Sequence, residues 1–369
     1  MPELVVIAEQ LLAEVPGGTG RYTAQLLRAL ADTAPPGWTV SGVVSRHADV
    51  EAARIDGVAG PRVLPLPPRA LVAAWEAGVP LWPGGDAVHA PTPLAPPRAP
   101  RGRSVTVTVH DTVPWSHPET LTPRGVSWHR RMVARAARRA DGLIVPTEAV
   151  ARDLARRVAV RVPTRVAAHG VTDLGPAAPV PGLPDRYVLA VGTVEPRKGI
   201  DVLVESLALL SRDEDTPAET AGTADVPLVL VGQPGWGGTD PSRLAAEHGL
   251  PAGRVRVLGR LADAELTSVL RQASVVAVPS RAEGFGLPVL EAMSAGVPVV
   301  HTDDPALVEV SAGAAIVVPR GDARALADGL RRVLTDPALA KRLATDGLRR
   351  AADFTWASAA EAVWTSHVT

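Results

Sequence analysis

The chain has 369 residues, 46% apolar and 21% charged, with a formal net charge of −1 and no cysteine. This length exceeds one ordinary core and points to two domains, and the composition is that of a globular protein. Disulfide frameworks, thiol nucleophiles and thiolate metal sites are excluded. No apolar run reaches the roughly 18–20 residues of a membrane span, and "MPELVVIAEQ" carries no basic leader, so the expected location is the cytoplasm.

Short apolar runs alternate with helical patterns along the chain. "LVVIAE" (4–9) reads as a strand, and "GRYTAQLLRALADT" (20–33) as a helix with apolar residues three and four apart. "WTVSGVVS" (38–45) and "RSVTVTVHD" (103–111) are β-branched strands. "SWHRRMVARAARRADG" (127–142) reads as a helix closed by Gly142, "GLIVPT" (142–147) as a buried strand, and "TEAVARDLARRV" as a helix capped by Thr147. "DLGPAAPVPGLPDR" (173–186) is rich in Pro and Gly, lacks periodicity and reads as a linker. The alternation then restarts. "YVLAVG", "VPLVLVG", "VRVLG", "SVVAVPS", "PVVHTD" and "AAIVVP" are strands; "IDVLVESLALL", "DAELTSVLRQA", "GLPVLEAMSAG" and "DARALADGLRRVL" are helices. "SRDEDTPAETAGTAD" (211–225) is a polar surface insertion, and "FTWASAAEAVWTSHV" closes the chain as an amphipathic helix. This alternation predicts α/β architecture: two Rossmann-like parallel-sheet domains, 1–175 and 176–354, with 355–369 as a final helix. Ligands of such sheets bind at the carboxyl ends of the strands, and two sheets facing each other would form an interdomain cleft.

Four stretches could carry chemistry. In "RAEGFGLPVLEAMSAGVPVV" (281–300), Glu283 and Glu291 stand eight apart around a turn that opens a helix at Leu287 and Pro288. The free backbone N–H groups of that helix's first turn would bind phosphate while the carboxylates take sugar and ribose hydroxyls; an ordinary helix start is the plainer alternative. In "VGTVEPRKGIDVLVESLALL" (191–210), Gly192 and Thr193 follow a strand, and Arg197 and Lys198 lie in the loop behind it. Of 38 basic residues only Lys198 and Lys341 are lysine, so a lysine in this loop points to a phosphate-binding point charge rather than a basic loop tip. In "VPGGTGRYTAQLL" (15–27), Gly17 and Gly18 would let backbone approach a ligand, although Thr23 breaks the dinucleotide fingerprint. "VTVHDTVPWSHPE" (107–119) places His110 and Asp111 at a strand's carboxyl end, with His117 peripheral and no zinc spacing. "DED" (213–215) has the look of a metal-binding D-x-D but lies in the polar insertion and reads as solvated loop.

Together these motifs resemble retaining glycosyltransferase family 4, with the GT-B fold. "VGTVEPRKGIDVLVESLALL", "EGFGLPVLEAMSAGVPVV" and "GRLADAELTSVLRQASVVAVPS" carry the resemblance over nearly all of the C-terminal half. "GGTGRY" and "VHDTVPWSHPE" look like a bacterial mannosyltransferase-like branch. The resemblance implies retaining, metal-independent transfer of a hexose, mannose first, from a nucleoside diphosphate sugar (GDP-mannose or a UDP-sugar), with no cofactor. It implies that Arg197 and Lys198 hold the leaving diphosphate, Glu283 the donor sugar, Glu291 the ribose, and the backbone N–H groups around Phe285, Gly286 and Leu287 phosphate or sugar, and that the final helix crosses back onto the N-terminal domain. His110 would lie near the donor sugar, and Gly17 and Gly18 near phosphate and acceptor. Some members have Arg after the strand-ending Gly; Thr193 stands there in this chain.

The acceptor class stays open among a glycan, a lipid-linked species and a small molecule. Alternatives on the same fold are a disaccharide phosphorylase and a sugar-nucleotide epimerase; from another class, a non-catalytic nucleotide-sugar-binding scaffold. Residues 124–165 hold eleven Arg against three acidic residues. That excess reads either as a solvated helical face or as a peripheral contact with an anionic membrane on its inner face, with no nucleic-acid partner expected.

Overall fold

The computed structural model describes residues 1–173, 175–212, 223–235 and 237–368. The chain divides into two units, Met1–Gly170 with Phe354–Thr369, and Val171–Asp353. The "DED" stretch lies outside the described residues.

The first unit is a seven-stranded parallel sheet. Its strands are β1 (Glu3–Ile7), β2 (Thr39–Val44), β3 (Ala59–Val63), β4 (Ala87–Ala90), β5 (Ser104–Thr108), β6 (Gly142–Val145) and β7 (Thr164–Val166). They run in the order β3-β2-β1-β4-β5-β6-β7. A parallel sheet covered on both faces asks for strands apolar at every position. β1 shows this: Leu4 and Val6, with Ala8 just beyond the strand, pack into one buried cluster, and Val5 and Ile7 into another on the opposite face. The first cluster receives Tyr22, Leu26, Leu27 and Leu30 from the helix Gly17–Asp32, and Ala359, Ala360, Val363 and Trp364 from the helix Trp356–Trp364. The larger of these side chains, Val363 among them, contribute roughly 1.5–3 kcal/mol each on full burial, so the last helix is integral to this core.

The second unit is a six-stranded parallel sheet of β8 (Val188–Val191), β9 (Leu228–Val231), β10 (Val255–Gly259), β11 (Val275–Val278), β12 (Val299–Thr302) and β13 (Ile316–Val318). Its order is β10-β9-β8-β11-β12-β13. Helices Ile200–Arg212 and Ala323–Thr335 bury Leu203, Leu207, Leu326 and Leu330 against Val188, Ala190 and Val300. Both sheets are parallel, as the alternation predicts. No helix among the described residues is long and apolar enough to cross a membrane.

Some boundaries differ from the sequence reading. The helix expected over 127–142 runs from Pro123 to Arg139, with the Thr122 hydroxyl accepting the Gly125 N–H. Gly142 does not close it. Ala140 already has extended geometry, and the Asp141 carboxylate accepts the Val105 N–H, drawing the chain into β6. The Gly-rich turn at 17–18 is the first turn of its helix, which begins at Gly17. β5 stops at Thr108, leaving His110 and Asp111 in the loop beyond.

Gly170 shows how tightly the last helix is seated, because a Cβ there would stand 2.2 Å from the Trp356 nitrogen. Gly170→Ala should therefore cost about 1–3 kcal/mol by overpacking. Limited proteolysis should then cut after Phe354 sooner than in the wild type; an unchanged melting temperature and cleavage pattern would contradict this seating.

Candidate functional site

In the second unit the strand order reverses between β8 and β11, the place where an open parallel sheet leaves a crevice. The loops after these two strands carry most of the residues singled out above. After β8 the chain passes Gly192 and Thr193, makes the single 3-10 turn Pro196–Lys198, and enters the helix at Ile200. Gly199 closes the turn at φ +65°, and a Cβ on it would stand 2.1 Å from the Pro279 carbonyl oxygen. Glycine at this position lets the loop after β8 lie against the loop after β11. The Arg281 N–H donates to the Arg197 carbonyl at 2.8 Å and joins the two loops.

Glu283 is the centre of the cluster, its side chain only 8% exposed. Lys198 Nζ donates to its Oε1 at 2.6 Å, Ser280 Oγ to the same oxygen at 2.7 Å, and an Arg197 terminal nitrogen to its Oε2 at 3.2 Å. That Arg197 nitrogen also donates to the Ala282 carbonyl at 2.9 Å, and the other donates to Glu195 at 2.6 Å. Burial alone would raise the Glu283 carboxyl. The Lys198 and Arg197 charges, with the hydrogen bonds from Lys198 and Ser280, outweigh it and hold the group at about 2. Asp304 steadies the loop from behind. It accepts the Glu283 N–H at 3.3 Å and caps the helix Pro305–Ser311 through the Ala306 and Leu307 N–H groups. Burial, aided by the Glu283 charge, pushes the Asp304 carboxyl up despite those backbone hydrogen bonds.

A cavity is lined by Gly192, Lys198, Ser280 and Glu283 over an apolar floor that includes Ala190, Leu230 and Ala277. Among the described residues, Lys198 Nζ makes one protein hydrogen bond, the one to Glu283. Its two other N–H groups are therefore open to an anion in this cavity. Leu287 and Pro288 open the helix Leu287–Ser294, with Gly286 left-handed at its cap. The Phe285 side chain is buried in the core, so the contribution open to it is its backbone. Glu291, the fifth residue of that helix, is also buried. Thr193 is half-buried beside Gly235. Glu195, Ser280 and Asp304 were not singled out in the sequence, although Glu195 and Ser280 sit within the quoted motifs.

In the first unit, His110 stands two residues beyond β5 and its Nε2 bonds the Pro91 carbonyl at 2.8 Å. Since a carbonyl only accepts, Nε2 carries the proton, and in the neutral ring Nδ1 is the acceptor. Burial lowers the His110 pKa, partly opposed by the Pro91 bond and the Asp111 charge. Gly17 and Gly18 are exposed at the start of the helix Gly17–Asp32. His117 ends the short helix Val113–Ser116 and takes no part in either cluster.

Residues 178–350 match the family described as Glycosyl transferases group 1, and residues 16–173 match Glycosyltransferase Family 4. The chain is 37% identical to O-antigen chain mannosyltransferase B of Escherichia coli over 170 residues, 46% of this chain and 42% of that one. The chain spans about half the length of the curated relatives it matches. Among solved structures it is similar to sucrose-phosphate synthase from Thermosynechococcus elongatus, with a TM-score of 0.73 and 24% identity over 99% of this chain and 98% of that one. It is also similar to Anabaena Alr3699/HepE in complex with UDP-glucose, with a TM-score of 0.70 and 18% identity over 99% and 100% of the two chains. At these identities the likeness is one of fold: two Rossmann-like domains, the GT-B architecture.

The pKa shifts fix the sign of the acid response. Glu283 sits below its ordinary value of 4.5, so its contribution is complete above pH 4.5 and is lost as the pH falls through about 2. The loss should be on the order of 3 kcal/mol in the second unit. In the first unit, burial and neighbouring histidines hold His89 and His169 well below 6.5, so stability there should begin to fall as soon as the pH drops below 6.5. Burial lowers His301 in the second unit as well, so hydrogen exchange should show both units beginning to loosen below pH 6.5, and Glu283→Gln should flatten only the later loss in the second.

Proposed function

The chain belongs to glycosyltransferase family 4, and on that premise we propose that it transfers a hexose from a nucleoside diphosphate sugar, with retention at the anomeric carbon and without a metal ion. Mannose is the favoured sugar, because the matched O-antigen relative is named a mannosyltransferase. The solved HepE complex holds UDP-glucose, so a uridine donor is the second choice. A glycan, a lipid-linked species and a small molecule all remain in the acceptor class.

One observation carries this reading. Two cations and a carboxylate are locked together at the carboxyl ends of β8 and β11, and the Lys198 ammonium lines a cavity with two N–H groups to spare. Sugar transfer builds negative charge on the leaving diphosphate, and cations already in position stabilise it without reorganisation. Arg197 and Lys198 are assigned that role. Glu283, ionised across the physiological range, is assigned to the donor sugar, where it can accept hydroxyl hydrogen bonds. Glu291 is assigned to the ribose, and the backbone of Phe285, Gly286 and Leu287, with Gly192 and Thr193 across the loop, to the donor phosphates and sugar. His110, neutral with Nδ1 as acceptor, is suited to a sugar hydroxyl, and Gly17 and Gly18 to phosphate and acceptor. With Thr193 where some relatives have Arg, the diphosphate charge rests on Arg197 and Lys198.

A thermal-shift panel of nucleotide sugars should single out one donor, since a ligand at 100 times its Kd stabilises by about 2.7 kcal/mol. With that donor, transfer should persist in EDTA and conserve the anomeric configuration. Lys198→Ala should lower kcat by about a hundredfold or more, and Lys198→Arg should recover only part of it. A near-normal kcat in Lys198→Ala, or loss of transfer in EDTA, would refute the assignment.

The arginine-rich surface supports a second element of the proposal, peripheral contact with anionic lipid. The helix Pro123–Arg139 buries Met132, Val133, Ala136 and Ala137, while Arg124, Arg131, Arg138 and Arg139 are exposed. Glu76 partly neutralises Arg124 and Arg131. Arg152, Arg156, Arg157, Arg161 and Arg165 extend the exposed basic residues. Each basic residue near an anionic surface contributes about 1 kcal/mol. Vesicles containing phosphatidylglycerol should sediment the protein at low salt and release it at high salt; failure to bind at low salt would remove this element and leave the transferase reading intact.

A further inference from the structure

The first unit contains a buried polar chain that the proposed reaction does not use. Ser104 Oγ lies 2.7 Å from His367 Nδ1, and His367 Nε2 lies 2.8 Å from Thr106 Oγ1. Thr106 Oγ1 is 2.8 Å from His89 Nδ1, His89 Nε2 is 3.2 Å from Thr108 Oγ1, and Thr108 Oγ1 is 3.1 Å from the Tyr22 hydroxyl. β4 and β5 create the spacing, because His89 pairs in register with Thr106. A neutral imidazole has one donor and one acceptor, so either of two concerted proton orders, running in opposite directions, satisfies every link while both histidines stay neutral. Burial favours that state, lowering His367 to about 4 and His89 well below its ordinary value.

The chain ends on Tyr22, which is 1% exposed. Its ring meets His110 edge-on, with centroids 4.7 Å apart, and His169 at 4.6 Å. Trp356, the first residue of the last helix, stacks on His169 at 6.0 Å and 15°, and His169 lies 5.6 Å from His110. The C-terminal segment thus reaches the Tyr22–His110 contact twice: through His367 and the hydroxyl chain, and through Trp356 and His169. Buried polar networks whose members are all satisfied rigidify what they hold.

We propose that the C-terminal segment positions His110, with Tyr22, Trp356 and His367 as positioning residues that hold its ring where Nε2 donates to the Pro91 carbonyl. The consequence for transfer rests on the assignment of His110 to a sugar hydroxyl; the structural claim does not. Nitrogen-15 NMR of the full-length chain, labelled at histidine, tests it, with His110 identified by its loss in His110→Gln. The wild type should show one protonated and one bare ring nitrogen at His110 at neutral pH. In Trp356→Ala the two shifts should converge and the titration should move toward that of free histidine, about 6.5. Trp356→Phe, which keeps an aromatic ring, should restore the wild-type signals. Tyr22→Phe removes only a hydroxyl and carries the test if Trp356→Ala does not fold; it should shift His110 in the same direction.

With GDP-mannose or UDP-glucose, whichever is turned over, both disruptive variants should lose about tenfold or more in kcat with little change in KM. Unmoved His110 signals in folded Trp356→Ala and Tyr22→Phe would overturn the proposal. Shifted signals with unchanged kcat would uphold the positioning and instead remove His110 from the reaction.

Discussion

A carboxylate as enclosed as Glu283 cannot stay ionised alone, and the geometry of the second unit follows from how its charge is met. Leaving a buried charge without its partner costs about 3–5 kcal/mol. Here the partners come from a different loop: Lys198 and Arg197 follow β8, whereas Glu283 and Ser280 follow β11. The ion cluster therefore fastens together the two loops at the strand-order reversal. Asp304, from a third loop, holds the backbone of the same residue. Three strand ends are tied to one residue.

The first unit solves a related problem without charge. Polar side chains of β4 and β5 point inward, where apolar ones would pack more simply, and His367 completes their hydrogen bonding from the far end of the sequence. Neutral histidines serve because each can donate and accept once. The second unit also holds one buried neutral histidine, His301, but its ion cluster adds a demand on acid that the first unit lacks. Protons in the first occupy acceptors that the network already uses, whereas protons in the second must neutralise a carboxylate against two cations.

Much of this was legible in the sequence. The apolar runs of β1, β8, β9 and β11 could be read directly because both faces of a covered parallel sheet are apolar. Lys198 stood out because the chain otherwise writes positive charge almost entirely as arginine. β3 and β7 were not legible. They are edge strands, and "AGPRV" and "TRV" carry Pro or Arg that a central strand would exclude. β4, "AVHA", is short and holds a histidine that becomes a satisfied core residue only once Thr106 is beside it. The Glu283 cluster was legible as residues but not as a cluster, since the meeting of two loops depends on strand order. Glu195 lay within a quoted motif, but nothing in the sequence shows that it takes one side of Arg197.

Geometry also sharpens why position 198 is lysine. Arg197 spends its fork on three acceptors, Glu195, Glu283 and the Ala282 carbonyl, in a plane set by the surrounding backbone. A second guanidinium would need its own planar set of acceptors against the same carboxylate, and Glu283 Oε1 already takes the Ser280 hydroxyl. An ammonium needs one direction to Glu283 and leaves its other N–H groups free to turn with whatever anion enters. The pair thus divides the work by shape: the arginine is held by the protein, and among the described residues the lysine is held at one point only. A group that must meet a ligand whose charge moves during reaction gains from the second arrangement, and the first keeps it in place.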